Sequence, residues 1–338
     1  MKLTATDDLA SEYRNRLAHE LTAAGALSDP AWRRAWETVP RHLFVQCFAI
    51  SAPGQPGAAS ATWYDGSDPA RQPQWLVAAY RNEALITGYA VNGAAISSST
   101  EPSLMVRMLD LLDVHDGQKV LEIGTGTGYN AALLAHRLGP DNVTTIDIDP
   151  RLTQTAKTVL DNAGYPVTVL TGNGAHGAAE HAPFERIIAT CGVDRILAAW
   201  IEQLAPGGLV LANVSRGLIV LQCSASDTVS GRFCGQAGFM ALHAANESPP
   251  PTSGEIFDVT TSRPQRQHDA DVPADLDFTI ASFLASLIAE RSHLMFVHRE
   301  GGAVVDYRWW HPASASWVRV ELRDSGPARI HETGTRQL

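Results

Sequence analysis

The sequence predicts an α/β protein with a mostly parallel sheet at its centre, helices before the sheet and a small α+β extension after it. Between residues 120 and 223, short apolar runs alternate with segments of helical periodicity. Strands that alternate with helices form βαβ units, in which the strands are parallel. One apolar run leads through a glycine-rich turn into a helix, an arrangement that open α/β sheets use to bind nucleotide-like ligands.

Composition narrows the function. The chain has 338 residues, of which 45% are hydrophobic and 18% charged, so it has enough apolar side chains for a large core and two folded units. The net charge is −10, from 36 acidic and 26 basic residues, and no long Lys/Arg run is present. Nucleic-acid-binding domains usually carry a basic patch, so we expect no nucleic-acid partner.

The N-terminal residues, the lengths of the apolar runs and the cysteine spacing are typical of a cytoplasmic protein. Residues 1–9 contain no apolar stretch that could act as a secretory signal, and no run of about eighteen apolar residues is available to span a membrane. None of the four cysteines, at positions 47, 191, 223 and 234, belongs to a C-x-x-C pair, so we expect reduced thiols. The twelve histidines form no H-E-x-x-H or Cys/His cluster, so we expect no metal site.

Residues 1–80 are predicted to be an N-terminal helical segment followed by a loop. Helical spacing of apolar residues runs from Asp7 to Ala35, and Asp29-Pro30 is a helix start with proline in the first turn. The stretch from Ser51 to Pro73 is rich in Ala, Gly, Pro and Ser, which is typical of a long surface loop.

Residues 81–245 are predicted to be the ligand-binding domain. An amphipathic helix begins near Ser103, and further helices are predicted over 130–137 and 150–163. The predicted strands cover 120–123, 143–148, 167–170, 186–190, 209–214 and 218–223.

A proline-rich stretch, 246–271, is predicted to be a linker to a C-terminal α+β extension, 272–338. The extension should hold a helix around 280–288 and three strands, over 294–297, 304–309 and 317–322. All motif residues precede position 224, so we expect the later residues to serve the substrate and not the cofactor. Packing on the sheet, with a purely stabilising role, is the alternative.

The most specific pattern is the turn after the strand 120–123. Its glycines, Gly124, Gly126 and Gly128, are spaced as G-x-G-x-G and not as the G-x-G-x-x-G of dinucleotide sites. An acid, Glu122, lies two residues before the first glycine, and Asp147 ends the next strand, where it could accept both ribose hydroxyls. This combination favours S-adenosyl-L-methionine over NAD; the alternative is a turn that serves packing alone.

A second turn, Gly172-Asn173-Gly174, follows the strand 167–170 at the same edge of the sheet. The amide of Asn173 could pair with the adenine edge, although such a tripeptide alone is typical of an ordinary turn. The predicted cofactor-binding residues are Glu122, Gly124, Thr125, Gly126, Gly128, Asn130, Asp147, Ile148, Gly172, Asn173, Gly174 and Thr190.

Together these residues resemble the protein-L-isoaspartate O-methyltransferases over about residues 10 to 223. The matching segments, in family order, are Val39–Val45, Ser97–Pro102, Gly124–Gly128, Ala182–Ile187 and Pro206–Gly208. The resemblance implies a Rossmann-like class I methyltransferase sheet, S-adenosyl-L-methionine as cofactor, and methyl transfer to a side-chain carboxylate. It also implies that the Ser/Thr loop before Pro102 lies at the acceptor.

The chain departs from the family pattern at two positions. Thr100, before Glu101-Pro102, stands where the family usually has Ser before Gln-Pro or Ala-Pro, and Asn173 replaces the acid of a Gly-Asp-Gly turn. The Ser-rich loop, the run 130–135 and the C-terminal extension resemble a subgroup. Its members are actinobacterial enzymes that modify ribosomally made peptides, especially graspetides and some lanthipeptides. For that subgroup the resemblance implies an ordinary Asp acceptor whose ester closes to an aspartimide.

The predicted catalytic residues are Ser98, Ser99 and Thr100. An Asp carboxylate is already ionised at neutral pH, so the protein has to orient it without neutralising it, and hydroxyl donors can do so. A cap for the helix that begins near Pro102 is the alternative role of this loop. The partner is therefore a peptide or protein with an Asp or isoAsp carboxylate. The predicted function is methyl transfer from S-adenosyl-L-methionine to an Asp carboxylate of a ribosomally made, modified peptide. An isoaspartyl repair enzyme and a cofactor-binding scaffold without turnover are the rival functions.

Overall fold

The computed structural model describes residues 5–51, 61–223, 229–243, 251–272, 293–300, 303–311, 314–323 and 326–334. The chain divides into two compact units, Met1–Pro249 and Pro250–Leu338. No helix among the described residues is long and apolar enough to cross a membrane.

The first unit begins with three helices. They are α1 (Ala5–Ala23), α2 (Pro30–Thr38) and α3 (Arg41–Phe44). Asp29 caps α2, since its Oδ1 accepts a hydrogen bond of 2.6 Å from the amide of Ala31, and Pro30 fills the first turn. The helix start predicted at Asp29-Pro30 is therefore confirmed.

A four-stranded sheet follows the helices. It has the order β2-β1-β3-β4, and its members are β1 (Cys47–Ser51), β2 (Ala61–Asp65), β3 (Leu85–Tyr89) and β4 (Ala95–Ser99), with α4 (Gln72–Ala79) between β2 and β3. The prediction of a loop from Ser51 to Pro73 is wrong at β2, because this short segment gains its partner from β1 and not from its own apolar pattern. The boundary drawn between residues 80 and 81 falls inside this sheet, so the N-terminal segment is not a separate unit.

The central sheet has seven strands in the order β11-β10-β9-β8-β5-β6-β7. Its strands are β5 (Val120–Ile123), β6 (Val143–Asp147), β7 (Thr168–Thr171), β8 (Phe184–Val193), β9 (Leu204–Val214), β10 (Gly217–Cys223) and β11 (Val229–Gln236). The helices that accompany them are α5 (Pro102–Leu112), α6 (Tyr129–Leu138), α7 (Pro150–Asn162) and α8 (Ala198–Glu202). Strands β5 to β9 pair in parallel and β10 and β11 add antiparallel, which confirms the predicted α/β sheet.

Both faces of this sheet are covered, which explains the continuous apolar runs of its strands. Val120 and Ile188 point into a core shared with the N-terminal helices, α5 and α6. Their neighbours Leu121 and Ile187 point into a second core on the other face, with Trp200 of α8. The carboxyl ends of β5, β6 and β8 are therefore fixed from two sides at the edge where ligands bind in open α/β sheets.

The second unit contains α9 (Ser253–Thr261) and a five-stranded antiparallel sheet of order β12-β16-β15-β14-β13. Its strands are β12 (Arg266–Ala270), β13 (His293–Glu300), β14 (Ala303–His311), β15 (Ser316–Glu321) and β16 (Ala328–Thr333). The three strands predicted for the extension are present. The helix expected around 280–288 lies outside the described residues.

The structure corrects the linker assigned to 246–271. A complete capping box, formed by Thr252 and Glu255, starts α9 inside this range, and β12 follows it. Strand β12 carries little apolar signal; its backbone pairs with β16, and the ion pairs Asp269–Arg329 at 3.0 Å and Arg266–Glu332 at 2.7 Å join the two strands.

Candidate active site

A glycine-rich turn joins β5 to α6. Gly124, Gly126 and Gly128 have φ of +98°, +51° and +84°, values that side chains disfavour. A Cβ on Gly124 would lie 2.8 Å from Thr190 Oγ1, so this position also needs glycine for close approach. Gly128 serves packing: a Cβ there would stand 3.2 Å from Leu160 Cδ1 of α7.

Glu122 is the buried anchor of this turn. Its carboxylate accepts hydrogen bonds of 2.7 Å from Asn130 Nδ2 and from Thr145 Oγ1, and Thr145 Oγ1 lies 2.8 Å from Thr125 Oγ1. Burial raises the pKa of Glu122 to about 7, an effect that the two hydrogen bonds partly oppose. The side chain thus ties β5, β6 and α6 together below the turn.

Asp147, at the end of β6, faces the same turn. Its two carboxylate oxygens accept hydrogen bonds from the amides of Gly126, at 2.9 Å, and Asp149, at 3.2 Å. These backbone donors fix the orientation of the carboxylate, and each oxygen keeps a lone pair for a ligand hydroxyl. Thr190, in the carboxyl-terminal half of β8, donates to the carbonyl of Gly124 at 2.7 Å and closes the far side of the turn.

The predicted acceptor residues lie on and just after β4. Ser99 is buried, and Ser98 places its carbonyl oxygen 3.6 Å from the position of a Cβ on Gly126. Ser98, Ser99 and Thr100 line the same cleft as the glycine turn and Asp147. Two groups of residues that the sequence assigns to cofactor and to acceptor therefore meet in one cleft.

Arg41, of α3, fixes the end of the acceptor strand. Its guanidinium is fully buried and donates to the carbonyls of Thr100 at 3.2 Å, Arg81 at 2.8 Å and Glu83 at 3.1 Å, as well as to that of Ala79. Burial lowers its pKa to about 10, so the group stays cationic at neutral pH. Arg41 lies in the segment Val39–Val45, which resembles the family, but its sequence context does not indicate this role.

The segment 237–243 forms a wall of the cleft that the motifs did not indicate. It follows β11 and returns to β8, where the amide of Gly192 donates to the carbonyl of Met240 and the amide of Leu242 donates to the carbonyl of Gly192, both at 2.7 Å. Phe239, Met240, Ala241, Leu242 and His243 line the cleft. Residues after 223 therefore contribute to the cleft, and the expectation that they serve the substrate and not the cofactor stays a prediction.

Other wall residues come from apolar positions. Trp36 of α2 lines the cleft with its ring 5.6 Å from that of Tyr129, in an edge-on contact. Cys191 also lines it, and burial raises the pKa of its thiol to about 12, so the thiol stays protonated and is no nucleophile. Sequence patterns give no signal for such residues, because core and cleft positions are equally apolar.

The predicted cofactor residues divide into two sets. Those that line the cleft are Glu122, Gly124, Thr125, Gly126, Asn130, Asp147, Ile148, Gly174 and Thr190. Among the described residues, Gly128, Gly172 and Asn173 lie outside its wall. Asn173 is occupied locally: its Oδ1 accepts from the amide of Ala175 at 2.9 Å and caps a 3₁₀ turn.

The site fits S-adenosyl-L-methionine. The glycine turn leaves a cradle that side chains would fill, and Asp147 offers an oriented carboxylate at the sheet edge. Asn130 lines the cleft, and its side-chain carbonyl oxygen is buried and has no partner among the described residues. Sheet order, turn and carboxylate together define a class I methyltransferase.

Comparison with known proteins gives the family. Residues 71–243 match the family described as protein-L-isoaspartate(D-aspartate) O-methyltransferase. The protein-L-isoaspartate O-methyltransferase of Methanothermobacter thermautotrophicus is 30% identical over 238 residues, which cover 68% of this chain and 95% of the relative. That of Ignicoccus hospitalis is 39% identical over 206 residues, 60% of this chain and 82% of the relative.

Solved structures show the same fold. A protein-L-isoaspartate O-methyltransferase structure aligns with a TM-score of 0.56 at 22% identity, covering 95% of this chain and 88% of its own. A Plasmodium falciparum protein of that description, in complex with S-adenosyl-L-homocysteine, aligns with a TM-score of 0.51 at 12% identity, covering 68% and 98%. The chain belongs to the protein-L-isoaspartate(D-aspartate) O-methyltransferase family and is an S-adenosyl-L-methionine-dependent carboxyl O-methyltransferase.

Proposed function

We propose that the protein methylates the free carboxylate of an isoaspartyl residue in a peptide or protein. The relatives from Methanothermobacter thermautotrophicus and Ignicoccus hospitalis, 30% and 39% identical, are named for this acceptor. The observation that carries the proposal is the close approach of β4 to the glycine turn, with the Ser98 carbonyl 3.6 Å from a Cβ position on Gly126. An acceptor held by β4 would therefore lie beside the cofactor.

The cleft would hold the cofactor through Asp147, the glycine turn and the backbone around Asn130. When bound, S-adenosyl-L-methionine supplies an electrophilic methyl group on its sulfonium. An aspartyl-type carboxylate is ionised at neutral pH, so the chain needs no general base to activate it. The residues of the chain have to orient the carboxylate and remove water from it. Positioning of this kind can lower the activation free energy by about 7 to 11 kcal/mol.

Hydroxyl donors and one buried cation suit that task. The chain carries a net charge of −10, so a carboxylate approaches against the overall field. Ser98 and Thr100 provide hydroxyls in the cleft, and Arg41 lies directly behind the Thr100 carbonyl. Because Arg41 is buried, its charge is poorly screened and favours the ionised acceptor locally.

A second candidate acceptor is an ordinary Asp of a ribosomally made, modified peptide. It is favoured by the acceptor loop, where Thr100 and Glu101 replace the residues usual in the family. The Thr100 methyl narrows the pocket beside the carboxylate. The ester formed on Asp would close to an aspartimide when the following backbone nitrogen attacks the ester carbonyl and methanol leaves.

A matched peptide pair distinguishes the acceptors. Two synthetic peptides that differ only in Asp or isoAsp are incubated with the protein and S-adenosyl-L-methionine, and mass spectrometry follows the methyl ester and the dehydrated ring. Methylation of the isoAsp peptide alone supports the first proposal, and methylation of the Asp peptide alone supports the second. Calorimetric binding of the cofactor without transfer to either peptide, or to a modified precursor peptide, would refute both.

A further inference from the structure

The outward face of the four-stranded sheet carries exposed apolar side chains next to the cleft. Trp63 of β2 is 48% exposed and Ile96 of β4 is 40% exposed. The rings of Trp63 and Tyr89 lie 5.7 Å apart, so Tyr89 supports the indole from β3. We call Trp63, Tyr89 and Ile96 the aromatic platform.

The platform is continuous with the cleft. Ile96 extends over Gly88, since a Cβ on Gly88 would stand 3.6 Å from Ile96 Cγ1, and Ile96 also lines the cleft. Along β4 the exposure alternates: Ser97 and Ser99 are buried, whereas Ile96 and Ser98 face outward. A peptide whose acceptor lies at Ser98 therefore has the platform as its next surface.

We propose that the platform binds a large apolar side chain, aromatic or aliphatic, of the peptide substrate and so determines substrate choice. An exposed tryptophan on a supported, rigid surface is typical of binding hot spots, and the cleft beside it is an enzymatic site. Trp63 lies outside the matched range 71–243, whereas Tyr89 and Ile96 lie inside it, so the family match does not define the exposed tryptophan on which the proposal depends. The inference rests on the proposed function in that a peptide is the acceptor.

The strand register gives the distance between Trp63 and Ser98, where the acceptor would lie. Ser98 pairs with Ile86, Ile86 with Ala49, and Ala49 with Trp63, so three strand spacings separate Ser98 from Trp63. At about 4.8 Å for each spacing the separation is about 14 Å, and an extended peptide covers it in about four residues. The anchoring side chain should therefore lie about four residues from the acceptor.

Short peptides test this placement. Each carries one acceptor in a Gly/Ser background and one variable residue, Phe, Lys or Ser, four residues before or after the acceptor. For the full-length protein we expect KM for the Phe peptide to be about tenfold lower than for the Ser peptide in one of the two placements, with similar kcat. Trp63→Ala should abolish this preference by raising KM for the Phe peptide to that of the Ser peptide, whereas Trp63→Tyr should keep it.

The matched control is Phe233→Ala, because Phe233 is 46% exposed and lies on a different sheet; the preference should survive there. A wild-type protein without preference, a preference that persists in Trp63→Ala, or a preference for Lys over Phe overturns the proposal. If no peptide is methylated, the acceptor proposal fails by itself. Fluorescence anisotropy of labelled Phe and Ser peptides then decides the platform, and equal affinities overturn it.

Discussion

Replacement of Glu122 by Gln tests whether burial raises the pKa of this carboxyl, which lies beneath the cofactor turn. The pKa of Glu122 rises from its ordinary value of 4.5 to about 7 because the carboxyl is buried. Below pH 4.5 the carboxyl is protonated in both the folded and the unfolded chain. Between pH 4.5 and 7 only the unfolded chain ionises, so stability falls as pH rises, and above 7 the loss is complete.

The pKa of Glu122 differs by about 2.5 between the folded and the unfolded chain, which corresponds to about 3 kcal/mol of unfolding free energy at about 1.36 kcal/mol for each pKa unit. The amide that Glu122→Gln introduces would not titrate, so the stability difference between variant and wild type should shift in favour of the variant by about this amount from pH 4.5 to pH 8. The hydrogen bonds can persist, because the Thr145 hydroxyl can reverse and accept from the new amide while it donates to Thr125.

Hydrogen–deuterium exchange of peptides from β5 and β6 measures the opening free energy at each pH, which avoids assuming one transition for a chain of two units. Asp141→Asn, at an exposed position of the same unit, controls for the loss of one negative charge. A variant-minus-wild-type difference that stays flat from pH 4.5 to 8 would show that burial does not keep Glu122 protonated. A uniform offset alone would reflect altered packing and not titration.

Four further substitutions test the two units. Asp147→Ala should weaken S-adenosyl-L-methionine binding about ten- to a hundredfold, as loss of a charge-assisted hydrogen bond does; calorimetry with unchanged affinity, there and in Gly126→Val, would remove the cofactor assignment. Thr100→Val should slow methyl transfer about tenfold while the cofactor affinity stays the same, and full turnover would contradict its role. Arg308→Met should lower the unfolding free energy of the second unit by about 3 to 5 kcal/mol, since it breaks the buried ion pair that Arg308 forms with Asp306 at 2.6 Å; unchanged denaturation would refute this reasoning.

The sequence predicted the central sheet because its strands are buried on both faces and appear as apolar runs between helices. The cofactor turn was predictable for a related reason: positive φ and close approach at Gly124 and Gly126 allow few residues other than glycine. Asp147 was predictable because it ends a parallel strand, and ligands bind at the carboxyl ends of such strands in open α/β sheets.

Pairing between distant segments accounts for what the sequence did not reveal. Strands β2 and β12 have weak patterns of their own and form because β1 and β16 provide partners. The wall 237–243 is held by hydrogen bonds to Gly192, far earlier in the chain, and its apolar residues are indistinguishable from core residues in sequence. Asn173 matched a ligand-binding turn in pattern, yet its side chain caps its own backbone.

The late position of that wall has a consequence during synthesis. The described residues of the cleft extend from Trp36 to His243, so a nascent chain cannot complete the cleft until the wall has left the ribosome. A bound ligand stabilises a protein only in the state that can bind it. Cellular S-adenosyl-L-methionine should therefore protect the newly made protein from proteolysis only once translation has passed residue 243, and shorter nascent chains should remain sensitive whatever the cofactor concentration.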